Sequence, residues 1–293
     1  MPQLVQSACS FLFVPATRPE RLLKALQSGA DMVIADWEDA VAPADKDMAR
    51  DGLLQACASL SRAQCARLMV RINAADTEWH AQDVRALAQL VNQYGVAGVV
   101  LSKSDSAAVI ESIVQVAGKD CVVMPLIESV AGLDAVNELV KAPQVVRLAF
   151  GHLDFQVDAG MQCGMEEEEL LAVRTVLTLA SRRGKLAQPV DGVTVNTSDV
   201  DRIVRDTQRA QRQGFGAKLC IHPFQVQHVH AVFAPTTEAV ERAKKVQAAM
   251  EVAKGGVCVL DGRMVDAPVL HLAQQTLQRH AWAQQRAAQT SGD

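Results

Sequence analysis

The chain has 293 residues, of which 49% are apolar and 21% charged, and this composition argues against disorder and for a large core. A formal net charge of −4 without a long Lys/Arg run argues against a nucleic-acid partner, and the strand-sized apolar stretches argue against a membrane span. Residues 1–10 lack the pattern of a signal peptide. The seven cysteines form no C-x-x-C pair, which predicts reduced thiols in a cytoplasmic protein and no structural zinc site.

Short apolar runs alternate with longer segments of helical periodicity. The runs predict β-strands at residues 11–14, 32–35, 68–72, 98–101, 122–127, 145–149, 192–195 and 219–221. The segments between them predict helices at residues 18–28, 44–60, 79–94, 106–116, 131–141, 166–183, 198–213 and from 224 onward.

Eight strand–helix units with strands this apolar predict an α/β fold, a closed (β/α)8 TIM barrel whose strands are buried on both faces. The main rival is a doubly wound open sheet, which the lack of a G-x-G-x-x-G motif after the first strand disfavours. We expect a catalytic barrel over residues 1–254. Gly255 and Gly256 then break the pattern, and residues 255–293 form a C-terminal lid segment and a final helix over 268–285.

Polar side chains follow the predicted strands at their carboxyl ends, where barrel enzymes carry their active sites. These residues are Asp36, Glu38, Asp39, Arg71, Asn73, Lys103, Glu128, Asp154 and His222. Glu128 and Asp154 follow neighbouring strands and offer hard oxygen ligands, so together they predict a Mg²⁺ site, with Mn²⁺ as a possible substitute. For Glu128 alone, a cap or ion pair near the next helix is an equally good explanation.

Arg71 lies in an apolar strand, and its planar fork could grip a substrate carboxylate or form a structural ion pair with the acidic segment 36–39. Lys24 shares one helix flank with Arg18 and Arg21, which could meet phosphates or form an ordinary solvated face. Lys103 could form a Schiff base, although a metal site would make one unnecessary. His222 is either a core histidine or a substrate contact.

Six segments resemble the motifs of citrate lyase beta subunit-like proteins in the HpcH/HpaI aldolase superfamily. They are residues 13–21 (FVPATRPER), 36–43 (DWEDAVAP), 70–73 (VRIN), 125–129 (PLIES), 214–223 (GFGAKLCIHP) and 261–268 (DGRMVDAP). The resemblance implies a (β/α)8 barrel, usually trimeric, with a mobile C-terminal segment. It also implies acyl-CoA and 2-keto acid as small-molecule partners.

The same resemblance assigns roles to individual residues. Glu128 and Asp154 would be the Mg²⁺ ligands, with Glu128 also facing the substrate, and Arg71 would hold the keto-acid carboxylate. Asp266 would be the catalytic acid/base, delivered from a neighbouring subunit. The acyl-CoA contacts would be Phe13, Lys24, Ile221 and His222.

Three departures from the family pattern affect the expected site. Residues 102–105 read SKSD in place of the usual PKVE, which predicts a reshaped loop. Trp37 replaces a smaller apolar residue and is expected to narrow the barrel mouth. The GHLDF form of residues 151–155 resembles the branch that acts on citramalyl-CoA or malyl-CoA.

The predicted activity is a reversible, Claisen-type lysis of a short 3-hydroxyacyl-CoA to acetyl-CoA and a 2-keto acid by a homo-oligomer. Three alternatives stay open: a citrate lyase beta subunit acting on a carrier-bound citryl thioester, a malyl-CoA thioesterase, and a non-catalytic structural or regulatory paralogue. The presence of Glu128, Asp154, Arg71 and Asp266 argues against the last.

Overall fold

The computed structural model describes residues 2–290, with side chains described through residue 286. Eight parallel strands close into a barrel in sequence order, which confirms the predicted (β/α)8 architecture. The strands are β1 Ser10–Pro15, β2 Met32–Asp36, β3 Leu68–Ile72, β4 Gly98–Leu101, β5 Val122–Ile127, β6 Ala149–Phe150, β7 Val190–Asp191 and β8 Ala217–Cys220. Nearly every strand residue is buried, because each strand has the barrel interior on one face and helices on the other.

Helices follow the strands around the barrel. They are α1 Pro2–Ser7, α2 Arg21–Gln27, α3 Lys46–Ser59, α4 Arg62–Cys65, α5 His80–Gln89, α6 Ala107–Ala117, α7 Val130–Leu139, α8 His152–Asp158, α9 Leu171–Arg183, α10 Val200–Arg212, α11 Pro223–Phe233, α12 Thr237–Val252 and α13 Ala267–Thr290. A π-helical segment, Leu90–Tyr94, extends α5, and short 3₁₀ turns span Pro43–Asp45 and Glu168–Leu170.

Strand register decides which side chains meet inside the barrel. A buried cluster fills the interior with alternate strand residues, among them Phe11, Met32, Ile34, Met69, Met124, Leu126 and Leu219. The register pairs Asp36 with Arg71 at the carboxyl ends of β2 and β3. Glu128 follows β5 two residues beyond Leu126, so alternation places its side chain on the same inward face.

The predictions for the sixth to eighth strands were partly wrong, and β6 is Ala149–Phe150 rather than 145–149. Strand β7 is Val190–Asp191 rather than 192–195, and β8 begins at Ala217 rather than 219. Both strands carry a charged residue that apolar patterning skips, and these two pair with each other, since Lys218 Nζ lies 3.5 Å from Asp191 Oδ2. The short helix α8 was not predicted, because seven residues give too little periodicity.

The amino-terminal helix α1 is held by a buried guanidinium. Arg147, which is 1% exposed, donates from Nη1 to the carbonyls of Val5 at 3.0 Å and Ala8 at 2.6 Å, and its Nε donates to the Gln188 carbonyl at 2.5 Å. Its burial lowers the pKa of Arg147 to about 10. Because Arg147 precedes β6, these contacts lie at the amino ends of the strands, away from the expected site.

Residues up to Val229 form one compact unit, and those from His230 form a second. This division comes earlier than the predicted start of the C-terminal segment at 255, because α12 packs against α13. The second unit also contains an antiparallel hairpin of β9 Cys258–Leu260 and β10 Arg263–Val265. Asp261 and Gly262 connect its strands with φ values of 50° and 72°, as a two-residue hairpin turn requires.

The hairpin has one apolar face that contacts the second unit's core and another that does not. Val265 is buried with residues of α12 and α13, whereas Val259 and Met264 are 72% and 66% exposed.

No helix in the described part of the chain is long and apolar enough to cross a membrane. Five of the seven cysteines are buried, as expected for thiols that serve as small core residues.

Candidate active site

Arg71 is the centre of an ion-pair cluster at the carboxyl ends of β2 and β3. Its Nε and Nη2 donate to the two carboxylate oxygens of Asp36 at 2.7 and 2.6 Å, a bidentate pair in which the side chains are 11% and 3% exposed. Nη1 points instead to Glu38 at 2.8 Å and Asp39 at 3.3 Å. The guanidinium also stacks 4.9 Å from the centre of the Phe13 ring. The ion pair left open by the sequence is therefore present, and only Nη1 faces away from Asp36.

Glu128 is fixed by backbone geometry on two sides. Its Oε1 accepts a 2.7 Å hydrogen bond from the Lys103 backbone N–H, and Lys103 adopts a left-handed φ of 45°. On the other side, a Cβ at Gly151 would stand 2.6 Å from Glu128 Cβ, so only glycine fits there without displacing the carboxylate. Ser129, not Glu128, caps α7, so the capping alternative for Glu128 was wrong.

The buried carboxylates at this end of the barrel are not fully neutralised by nearby positive charge. Burial, followed by the charge of Glu38 and, more weakly, that of Asp154, raises the pKa of Glu128 to about 8. Burial likewise raises the pKa of Glu38 to about 7, against the lowering effect of Arg71. Although Glu38 Oε2 lies 2.8 Å from Arg71 Nη1, no described residue gives this buried oxygen an aligned hydrogen bond. A bound cation would stabilise the ionised forms of these side chains.

The donor set therefore fits a hard divalent ion. Asp154 lies exposed in the first turn of α8, which begins directly after β6, and its charge acts on the buried Glu128. Within residues 2–290, no three or more His, Cys, Asp or Glu side chains are grouped as a metal site. Mg²⁺ needs only one or two protein carboxylates, since it retains several waters.

A buried polar network that the sequence did not reveal lies behind the acidic segment. Lys46 Nζ donates to the carbonyls of Trp37 at 2.6 Å and Glu38 at 2.8 Å, and to Asn73 Oδ1 at 2.7 Å. Asp83 accepts from the Asn73 side chain at 2.6 Å. A lysine in an amphipathic helix normally predicts a solvated side chain, so no pattern in one sequence would have identified Lys46.

One expectation about the mouth was wrong, and one of the two alternatives for His222 is excluded. Trp37 does not narrow it, because the ring is fully buried and its Nε1 donates to the Ala49 carbonyl of α3 at 3.3 Å. His222 is not a core histidine, because it is exposed directly after β8. Lys103 is also exposed, and what it contributes to the site is its backbone N–H.

The four expected acyl-CoA contacts lie on three elements. Phe13 is in β1, and the register that pairs Leu12 with Cys220 places Phe13 level with Ile221. Ile221 and His222 are exposed, whereas Phe13 is half-buried. Lys24 is exposed on α2.

Asp266 belongs to the C-terminal unit. It directly precedes α13, and its Oδ1 accepts a 3.2 Å hydrogen bond from the Val269 N–H, so the carboxylate caps the first turn of that helix. The side chain is partly exposed. Its catalytic role stays a prediction.

The chain is similar to known proteins over nearly its whole length. The family model described as HpcH/HpaI aldolase/citrate lyase matches residues 9–223. Citrate lyase subunit beta of Leuconostoc mesenteroides subsp. cremoris is 32% identical over 282 residues, covering 92% of this chain and 91% of that protein. L-malyl-CoA/beta-methylmalyl-CoA lyase of Cereibacter sphaeroides is 32% identical over 288 residues, with 87% and 89% covered.

A solved structure extends the similarity to three dimensions. The crystal structure of protein CitE from Mycobacterium tuberculosis in complex with magnesium, acetoacetate and coenzyme A matches with a TM-score of 0.79. The two chains are 31% identical, and the match covers 94% of this chain and 99% of that one.

Proposed function

This chain belongs to the HpcH/HpaI aldolase/citrate lyase family and is a carbon–carbon lyase, and from that premise we propose a substrate class and a mechanism. The substrate is a short 3-hydroxyacyl-CoA of the citramalyl-CoA or malyl-CoA type, which is cleaved reversibly to acetyl-CoA and a 2-keto acid. The observation that carries the proposal is the pair of buried carboxylates Glu128 and Glu38 next to Arg71, with the exposed Asp154 close enough for its charge to act on Glu128.

Glu128 and Asp154 hold Mg²⁺ in this proposal, with Mn²⁺ as a possible substitute. When bound, the ion supplies positive charge to the substrate oxygen that becomes the keto-acid carbonyl. The Lys103 N–H and the close approach of Gly151 hold Glu128 in one orientation, so the ligand is positioned before the ion arrives. Glu38 adds negative charge beside Glu128, which favours cation binding.

Arg71 binds the substrate carboxylate through Nη1, the one terminal nitrogen that Asp36 does not occupy. The bidentate pair with Asp36 keeps the guanidinium plane fixed, and the stacked Phe13 ring supports its face. A substrate carboxylate would replace the poorly aligned contact between Nη1 and Glu38 with a charge-assisted hydrogen bond. Phe13, Lys24, Ile221 and His222 are assigned to the acyl-CoA.

Asp266 is the proposed acid/base. It would give a proton to the CH2 carbon of the acetyl-CoA enolate that cleavage releases, while the substrate hydroxyl gives up its proton to solvent, and it would remove a proton from the acetyl-CoA methyl group in the reverse direction. We propose that it is contributed by a neighbouring copy in a homo-oligomer, a trimer or a multiple of one. The exposed apolar face of the hairpin, with Val259 and Met264, supports burial of this segment against another surface.

A panel of citramalyl-CoA, malyl-CoA and carrier-bound citryl thioester, incubated with and without Mg²⁺, tests the proposal. Acetyl-CoA and a keto acid should appear together from a CoA ester, and chelation should abolish their formation. Glu128→Ala and Asp154→Ala should be inactive but folded, whereas Glu111→Ala, which removes an exposed carboxylate from α6, should be unaffected.

Other outcomes of the panel would identify a different function. Free CoA without a keto acid would indicate a thioesterase. Turnover of the carrier-bound thioester alone would indicate a citrate lyase beta subunit. No turnover of any substrate would return the chain to a non-catalytic role, and full activity after exhaustive chelation would refute the metal assignment.

A further inference from the structure

Lys46 is a buried lysine whose ammonium group has all its hydrogens directed at protein oxygens. The residue is 4% exposed on α3, and its acceptors are the Trp37 carbonyl at 2.6 Å, the Glu38 carbonyl at 2.8 Å and Asn73 Oδ1 at 2.7 Å. Two of these acceptors are consecutive carbonyls of the acidic segment. Lys46 therefore fixes the backbone from which the Glu38 side chain projects.

The partners of Lys46 connect this segment to the strand that carries Arg71. Asn73 lies two residues beyond Arg71, and its Nδ2 donates to the Trp37 carbonyl at 3.1 Å and to Asp83 at 2.6 Å. Asp83 is fully buried in α5 and accepts a second bond, at 2.6 Å, from Arg50 of α3. The network thus links the backbone beside Glu38 to the end of β3 through groups that are almost wholly buried.

We propose that Lys46 is a positioning residue that acts through Glu38 on the affinity of the cation site, an inference that rests on the function proposed above. Glu38 Oε2 lies 2.8 Å from Arg71 Nη1 without an aligned hydrogen bond, so the backbone, the Arg71 charge and the neighbouring Asp39 decide where this carboxylate points. With Lys46 in place, Glu38 stays against Arg71 and close enough to Glu128 to act on its charge. Without Lys46, the Trp37 and Glu38 carbonyls each lose one donor and keep Asn73 Nδ2 and the Val41 N–H, respectively, so the segment is held less firmly.

The test is a double-mutant cycle on Mg²⁺ affinity, measured by calorimetry on the protein without substrate. Lys46→Met should weaken Mg²⁺ binding on the order of tenfold, the lower end of what loss of a supporting contact costs a metal site. In a Glu38→Gln background, the same change should have about a twofold effect or less, because the carboxylate through which Lys46 acts is already gone. If Lys46→Met does not fold, Asn73→Ala replaces it in the cycle, since it removes one acceptor of Lys46.

Arg147→Met is the matched control, because Arg147 is also a buried cation that holds several main-chain carbonyls, at the amino ends of the strands. It should lower the midpoint of thermal unfolding and leave Mg²⁺ affinity unchanged. Equal losses of affinity from Lys46→Met in both backgrounds would overturn the positioning role and leave Lys46 purely structural. Absence of Mg²⁺ binding by the unmodified protein would instead refute the proposed function, so the two failures are distinguishable.

Discussion

Replacing Gly151 by alanine should displace Glu128 and weaken the cation site. The backbone at Gly151 has a φ of −89° and a ψ of 70°, close to the inverse γ-turn conformation that L-residues also adopt, so the main effect comes from the new methyl group. That methyl would stand 2.6 Å from Glu128 Cβ and 2.7 Å from its Oε2, whereas ordinary contact begins at 3.4 Å. The Glu128 side chain must therefore retreat by 0.7 to 0.8 Å.

Overpacking of this kind costs about 1–3 kcal/mol, which corresponds to a Mg²⁺ dissociation constant raised about 5- to 150-fold if most of the cost falls on the carboxylate. Calorimetric titration with Mg²⁺ measures the affinity, and urea unfolding measures stability. Gly52→Ala is the control, because a Cβ there meets only Pro19 Cγ at 3.7 Å, and in helix α3 the change should be neutral or stabilising. Unchanged Mg²⁺ affinity in folded Gly151→Ala would refute the assignment of Glu128 as a ligand.

Three further predictions concern pH, the guanidinium and the subunit interface. Burial raises the pKa of Glu128 to about 8, so the metal-free side chain is protonated below that pH. Because Mg²⁺ must displace this proton, its dissociation constant should rise about tenfold per pH unit below 8. A dissociation constant that does not change with pH would contradict this. Arg71→Lys keeps the charge but loses the fork that holds Asp36. It should weaken transition-state binding by on the order of 2 kcal/mol, which lowers kcat/KM about 30-fold. A near-normal kcat/KM would make Arg71 purely structural. Mixing Asp266→Ala subunits with Arg71→Ala subunits should restore part of the activity, and mixed oligomers that form but stay inactive would rule out a shared site.

The strands that the sequence predicted best are the most apolar ones. β3, β4 and β5 begin and end where the apolar runs do, because strands buried on both faces are apolar at nearly every position, and Arg71 is the one charged residue among them. β7 and β8 were misplaced because Asp191 and Lys218 satisfy each other inside the fold, and apolar patterning cannot register a charge that is buried with its partner. The Asp261–Gly262 turn is a local feature by contrast, since an Asp-Gly pair adopts the positive φ values that a two-residue hairpin turn requires.

The candidate site was predicted as a set of positions but not as an arrangement. Six motifs identified the family correctly, and strand ends located Glu128, Asp154 and Arg71. Whether Arg71 pairs with Asp36 depends on strand register and on distances of 2.6 to 2.7 Å, neither of which patterning supplies. Lys46 was overlooked for the same reason, because its three acceptors come from segments up to 27 residues away.

The contact between Arg147 and helix α1 has a consequence for shortened or fused forms of the chain. Val5 and Ala8 supply main-chain carbonyls to a guanidinium that is almost wholly buried, and they lie about 140 residues from it in sequence. A variant that begins at Ser10 would leave the Arg147 charge buried with most of its acceptors removed. Because an unpaired buried charge is costly, either water would enter the amino end of the barrel to solvate it or the protein would unfold. Helix α1 is thus a structural closure of the amino ends of the strands, and a change in it acts on the stability of the barrel.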